Sequence, residues 1–356
     1  MLYKYKFFKQ HKLYKLNLHL LYFIRKIKNV GDTARFIPSR YFHTSFLNAD
    51  GKIAPNGREN TTLHDDFKNF FDTFKKLEQT KKDEFYGLVV FSIDIHDYFE
   101  DSTKNTSVLR NENIIRILGN NSFSSLMETL WGSLKTNAWE IDKHYKDFYE
   151  ELTHKTCPFC GLNKLPNPNS YRADYDHLAF KSDYPISSIN LKNIAPACEE
   201  CNQRRKNSKD VFYEKGSVIR RKFNYPYKHF YNIDIDFTRC ILPNTDIRDL
   251  NGKWEIDFKP NNEFVQTWEN IYEIKQRYVD EVLKIEYNKW YDHFVDEYKN
   301  THVDNYDELK KRFLKNFKRF YKYKLDKGYI VKTSLYKFFY KCNNHVFYDQ
   351  LIKDLN

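Results

Sequence analysis

The sequence predicts an α+β chain, predominantly helical, with a small metal-stapled module near its middle. Three observations carry this. Long stretches repeat apolar residues at helical spacing, as in LHDDFKNFFDTFKKLEQ, where Phe67, Phe70, Phe71, Phe74 and Leu77 share one face. With only 10 Gly and 10 Pro among 356 residues, few breakers interrupt such stretches. Four of the 6 cysteines form two Cys-x-x-Cys pairs, Cys157/Cys160 and Cys198/Cys201, around the segment richest in reactive side chains.

In chain order, residues 16–27 pattern as an amphipathic surface helix, and the Gly, Pro and Asn of residues 48–62 mark a loop. The Phe-rich helix follows. Residues 86–95 (YGLVVFSIDI) are apolar and β-branched and read as a strand. Helical patterns resume at residues 112–118, 122–134 and 138–151. Beyond the cysteine segment come strands at 231–237 and 254–258, separated by the turn-rich LPNTDIRDLNG, then helices at 264–293, 306–325 and 335–355. The chain thus divides into an α-rich region with a minor strand (1–152), the stapled module (153–215) and a mostly helical region (216–356).

Composition narrows the function classes. At 41% apolar and 30% charged, the chain belongs with folded proteins. A chain of this size buries roughly 75% of its extended surface, so a metal site needs a local reason and not a global one. Lys and Arg number 59 against 48 acids, a net charge of +11 that suits a polyanionic partner and equally suits a protein that binds none. The apolar part of the basic N-terminal stretch is broken by Asn17 and His19 and lacks a small-residue cleavage site. No run approaches the roughly 20 apolar residues of a membrane span. The expectation is a cytoplasmic protein, with contact to a membrane surface as the lesser alternative.

A Cys-x-x-Cys turn presents two sulfurs from one knuckle, and two knuckles can close a tetrahedral site with no open position. That predicts a structural Zn2+ on Cys157, Cys160, Cys198 and Cys201, in reduced form. Four cysteines complete such a site without His154. Cys240 and Cys342 read as core thiols.

From between the knuckles to just past the second runs SYRADYDHLAFKSDYPISSINLKNIAPACEECNQRR. This segment resembles the zinc-containing branch of the HNH endonuclease family: a Cys-x-x-Cys, an Asp-His pair, an Asn shortly before the second Cys-x-x-Cys, and an Asn directly after it. The matching positions are Asp176-His177, Asn193 and Asn202, with Arg205 three residues further on. The resemblance implies a ββα-metal module that hydrolyses phosphodiester bonds, of DNA first and RNA as the alternative. His177 is then the general base, suited by a reference pKa near neutrality. Asp176 and Asn202 supply oxygen ligands to a catalytic Mg2+ or Mn2+. Asn193, in preference to Asn190, clamps the loop after His177. Arg205, Arg204 and Lys206 are placed for phosphates flanking the scissile one, with Arg172 a weaker candidate. Neighbouring strand residues point to opposite faces, so Asp176 and His177 can share a centre only where the strand bends. Asp174, Asp183 and Glu199 read as surface groups, and Asp94, His96 and Asp97 as polar residues at a strand end.

Two rivals stand beside the nuclease. Zinc nucleobase deaminases need Pro directly before Cys-x-x-Cys and His-x-Glu upstream; here Ala197 intervenes and Ala179 stands where the Glu belongs. A zinc-stapled module that only binds nucleic acid or scaffolds a partner explains the cysteines and charge, but gives Asp176, His177 and Asn202 no task. Size and motif position resemble bacterial defence nucleases acting against phage or foreign DNA, some with a partner ATPase. The helices from Trp268 to Trp290 are then candidate docking surfaces, and an ordinary helical core accounts for them equally well. One HNH centre cuts one strand per encounter, so a double break would need a homodimer or repeated action.

Overall fold

The Phe-rich period forms a helix as expected, and Asn60 caps it by accepting from the Leu63 amide at 3.0 Å. The computed structural model describes residues 2–55, 57–134, 139–240, 242, 254–326 and 328–356. They fall into two units, one of Tyr5–Leu152 with Pro166–Lys228, the other of Met1–Lys4, Thr153–Leu165 and His229–Asn356. Among the described residues no helix is long and apolar enough to cross a membrane.

The first unit holds α1 (Lys12–Ile27), α2 (Pro38–Tyr41), α3 (Thr61–Phe74), α4 (Gln79–Ile93), α5 (Asn111–Leu118), α6 (Ser122–Ser133) and α7 (Ile141–Glu151). Its core is aromatic. Phe23 of α1 stacks on Phe42 at 4.7 Å and meets Phe67 of α3 edge-on at 4.9 Å, while Phe70 and Phe85 pack against Phe123 of α6. Residues 16–27 are helical and amphipathic as expected: Phe23, Ile24 and Ile27 have no exposure and pack in the core, while Leu18, Arg25 and Lys26 are exposed.

The strand expected at residues 86–95 is instead the C-terminal part of α4, followed by a 3-10 turn at Ile95–Asp97. The buried positions Phe85, Leu88, Val89 and Ser92 follow helical spacing, and the helix formers from Gln79 onward start the helix before the β-branched run is reached. Tertiary burial of that face outweighs local β propensity.

Two short strands, β1 (Tyr175–His177) and β2 (Ile194–Pro196), pair antiparallel with Asp176 opposite Ala195. All six residues are buried. The outer edge of β2 is covered by side chains: Tyr5 Oη donates to the Pro196 carbonyl at 2.6 Å and Tyr227 Oη to the Ile194 carbonyl at 2.8 Å. A helical turn follows β2, with π-type spacing over Glu200–Lys206, the Asn207 amide donating to the Asn202 carbonyl at 2.9 Å.

The second unit pairs β3 (Asp234–Asp236) with β4 (Asp257–Lys259) and adds α8 (Glu263–Tyr272), α9 (Ile274–Arg277), α10 (Lys284–Tyr298), α11 (Tyr306–Tyr321), α12 (Tyr329–Lys341) and α13 (His345–Leu355). The turn expected at LPNTDIRDLNG lies outside the described residues except for Leu242. The helix expected over 264–293 is interrupted at Glu273, which takes a left-handed φ of 54°. The last expected helix is two, because Asn344 accepts from the Phe347 amide at 2.9 Å and so caps a fresh start. Trp268 is fully packed, its indole N–H donating to the Phe159 carbonyl at 2.7 Å, so it is core and not a docking surface.

Phe67 touches rings from three segments, and its truncation leaves a cavity that α1 and α3 cannot close. Phe67→Ala is expected to destabilise the fold by about 3–5 kcal/mol, read as a lowered urea midpoint of the helical signal.

Candidate functional site

The first cysteine pair sits on a tight loop. The Cys157 amide donates to the Asn163 carbonyl at 2.8 Å, the Gly161 amide to the Cys157 carbonyl at 2.7 Å, and the Leu162 amide to Cys160 Sγ at 3.4 Å. Gly161 suits the turn by its φ of +66°, which side chains rarely adopt, and a Cβ there would also displace the end of the Leu2 side chain, 2.5 Å away. The loop is held by Tyr278 Oη, which donates to the Cys160 carbonyl at 2.8 Å. The second pair opens the turn after β2, where the Asn202 amide donates to the Cys198 carbonyl at 3.0 Å.

All four cysteines are buried, and their sulfurs lie within 4.8 Å of one another. A tetrahedron with metal–sulfur bonds of ~2.3 Å places its sulfurs ~3.8 Å apart, so small side-chain adjustments suffice for a zinc-type ion. The chain therefore carries a four-cysteine cluster able to chelate metal. Among the described residues no other group of three or more His, Cys, Asp or Glu side chains is gathered closely enough to hold an ion. His154 is not drawn in; its Nδ1 lies 2.8 Å from Asp326 Oδ1. Asp94, His96 and Asp97 surround the 3-10 turn, where Lys192 Nζ pairs with Asp94 at 2.7 Å.

Beside β1 opens a cavity of about 340 Å³ whose lining includes Asp176, His177 and Asn202 together with Asp174, Trp131 and Lys181. Asp176 and His177 thus line the same cavity although adjacent on a strand. Both are buried, at 1% and 8% exposure. The His177 imidazole is fixed by its Nε2, which donates to the Ser188 carbonyl at 3.0 Å, leaving Nδ1 as the basic nitrogen. Burial, with smaller contributions from the charges of Lys206 and Lys181, pulls its pKa down to about 3 against the pull of the Ser188 carbonyl, so the ring is neutral near pH 7.

Asn193 has no exposure and spans the loop after His177. Its Oδ1 accepts from the Ala179 amide at 2.8 Å, and its Nδ2 donates to the carbonyls of Ala179 at 3.0 Å and Ser187 at 3.1 Å. Asn190 does something else, donating to the Ser92 and Ile93 carbonyls at the end of α4 and capping the turn at the Lys192 amide.

The basic run after Cys201 separates into different environments. Arg204 is exposed and near Glu199 and Glu200, and Arg205 Nε donates to Glu200 Oε1 at 2.7 Å. Lys206, expected at a phosphate, is instead wholly buried: its Nζ donates to the His177 carbonyl at 2.6 Å and pairs with Asp176 Oδ1 at 2.9 Å. The π-type spacing of Glu200–Lys206 turns it inward, which no linear pattern of charges encodes. Gln203 donates to Asp174 Oδ2 at 2.7 Å, and Arg172 to Asp142 Oδ1 at 2.9 Å. Asp183 is half-buried, and that burial raises its pKa.

Several residues at the site carry no sequence signal. Trp131 of α6 places its ring 4.2 Å from that of His177, a long-range contact invisible in LMETLWGS. His144 of α7 sits 2.5 Å from the Tyr175 hydroxyl, and burial pulls its pKa to about 3. Arg110 and Tyr184 both bond to Asp210 Oδ2, at 2.9 and 2.7 Å, joining the loop after His177 to the end of the π-type turn. No family model matches the chain, and no curated protein or solved structure does either.

Two outcomes follow. Cys198→Ser is expected to drop bound zinc from about one ion per chain to none by elemental analysis, since three thiolates no longer close the tetrahedron. His144, lowered in the folded state, contributes stability that is fully present above the ordinary His pKa of ~6.5 and is lost as pH falls toward its folded value of about 3. The unfolding temperature should therefore fall between about pH 6.5 and pH 4, and less steeply in His144→Gln, which keeps a polar partner for Tyr175.

Proposed function

We propose that this chain is a metal-dependent endonuclease of the HNH type that hydrolyses phosphodiester bonds of DNA. The observation that carries the reading is the joint placement of Asp176, His177 and Asn202 on one open cavity. It is supported by the hairpin of β1 and β2 running into the Asn202-bearing turn, an order compatible with a ββα-metal module, and by the four-cysteine cluster, which we assign to a structural Zn2+.

In this reading His177 Nδ1 takes the proton of the attacking water, while Nε2 stays bonded to the Ser188 carbonyl. A base with a pKa near 3 is weak in the empty cavity. An arriving phosphodiester brings negative charge beside the imidazole and moves that pKa upward. Asn193 keeps the loop closed beneath the ring, so the lone pair stays aimed. Asp176 and Asn202 have the oxygen donors for a hard ion such as Mg2+ or Mn2+, with Asp174 also on the cavity wall. When bound, such an ion would neutralise phosphate charge and stabilise the leaving oxygen. Asp176 must then serve the ion while remaining paired with Lys206. Arg204 and Arg205, held near Glu199 and Glu200, are available to a flanking phosphate that competes for them. A role in defence against phage or foreign DNA, with a partner ATPase or as a homodimer, extends this proposal and rests on the sequence resemblance.

One observation favours the alternative of a non-catalytic zinc-stapled nucleic-acid-binding protein: the Asp176 carboxylate already has a charge partner in Lys206, so its burial needs no metal. Incubation with supercoiled plasmid and Mg2+ or Mn2+ separates the two readings. The nuclease predicts nicked or linear product, with cleavage by His177→Ala slower by about 10²-fold or more. Equal cutting by both proteins removes His177 from the base role; plasmid retarded on a gel but left uncut by either favours the binding protein.

A further inference from the structure

We infer that Trp131 is a base-stacking platform, and that the cavity takes unpaired nucleotides, single-stranded DNA in preference to duplex. This rests on the nuclease reading of the same cavity and adds the form of its substrate.

The argument begins with what surrounds His177. Trp131 and Phe180 are both half-buried on the cavity wall, and the indole lies 4.2 Å from the imidazole with the planes inclined by 59°. Lys181 lines the same wall, close enough for its charge to be felt at His177. A second cavity of about 80 Å³ shares Trp131 and Lys181 with the first, so these two side chains form the partition between them. Of the carboxylates facing the larger cavity, Asp176 is paired with Lys206, and Asp174 accepts a hydrogen bond from Gln203. Aromatic faces beside a lysine make the combination that holds single strands: a cation for the backbone and a π surface for the base.

Geometry then selects against duplex. A phosphate close enough to reach His177 brings an adjoining base within reach of the indole, because the two rings are in contact. In a duplex that base is stacked on its neighbours and paired across the helix, and must leave both to meet Trp131. In a single strand its face is free. The indole therefore acts on the same nucleotide as the candidate base, and rewards only one that is not already stacked.

The test uses full-length His177→Ala protein without divalent ions, a labelled single-stranded oligonucleotide and its duplex, read by fluorescence anisotropy. Single strand should bind tighter than duplex by about tenfold or more, and adding Trp131→Ala should weaken single-strand binding by about tenfold while leaving duplex binding unchanged. Trp131→Phe, which keeps a π face, should retain most of the affinity. Duplex bound as tightly as single strand, or an equal loss on both probes, overturns the inference. A second readout leaves Trp131 intact: 2-aminopurine in the single strand should be quenched on binding if its base is stacked, and unquenched fluorescence in the bound state rejects stacking. Single-strand binding undiminished by Trp131→Ala removes the stacking and leaves the nuclease; binding of neither probe removes both.

Discussion

A lysine ammonium with no solvent exposure holds the candidate site in register. Lys206 sits on the turn that carries Asn202, yet its Nζ is bonded to the His177 carbonyl and paired with the Asp176 carboxylate, both on β1. Burying either charge alone would cost several kcal/mol, and only the pair with its extra hydrogen bond offsets that. The turn cannot shift against the hairpin without leaving a charge uncompensated, a penalty on the order of 3–5 kcal/mol. Asn202, Asp176 and His177 are thereby fixed relative to one another by a residue that need not touch a substrate.

The remaining supports act on smaller pieces. Asn193 satisfies three main-chain groups of the loop after His177, and Ser188 in that loop orients the imidazole. Tyr5 and Tyr227 cover the open edge of a strand only three residues long, which would otherwise expose its carbonyls inside the fold. Asp210 draws Tyr184 and Arg110 together and so anchors the far end of the loop. The aromatic surplus, which carries no functional message in the sequence, is used mainly as core: Phe23, Phe42, Phe46 and Phe67 form one ring cluster in the first unit, and Phe294, Phe313, Phe339 and Phe347 another in the second.

What could be read in advance follows from whether the signal is local. The helix at Thr61–Phe74 was legible because its burial repeats along the chain, and the cysteine cluster because sulfur pairs at that spacing have few other uses. The segment over Gln79–Ile93 was not, because the apolar run obscured a spacing of buried positions that emerges only once the helix formers before it are counted. Asp176, His177 and Asn202 could be named together, but only tertiary structure puts Trp131, Lys181 and Ser188 around them. Lys206 is the sharpest case: in NQRRK nothing distinguishes it from Arg204, and only the π-type turn makes one side chain core and the other solvent-facing.

The depressed pKa of His177 has a consequence for when such a site can work. Burial that keeps the ring free of a proton also makes it a poor proton acceptor, so the cavity by itself holds a base that is available but weak. Lys206 and Lys181 add to this, since both favour the neutral ring. On the proposed reading a phosphodiester offsets part of this: its negative charge opposes that of the lysines, while burial of the ring and a divalent ion on Asp176 and Asn202 would continue to disfavour imidazolium. The anion to be cut would then supply part of the ring's basicity at the moment of use. The same lysines that suppress the base in the empty cavity would attract that anion. Removing the Lys181 charge would thus strengthen the resting base and weaken phosphate binding together.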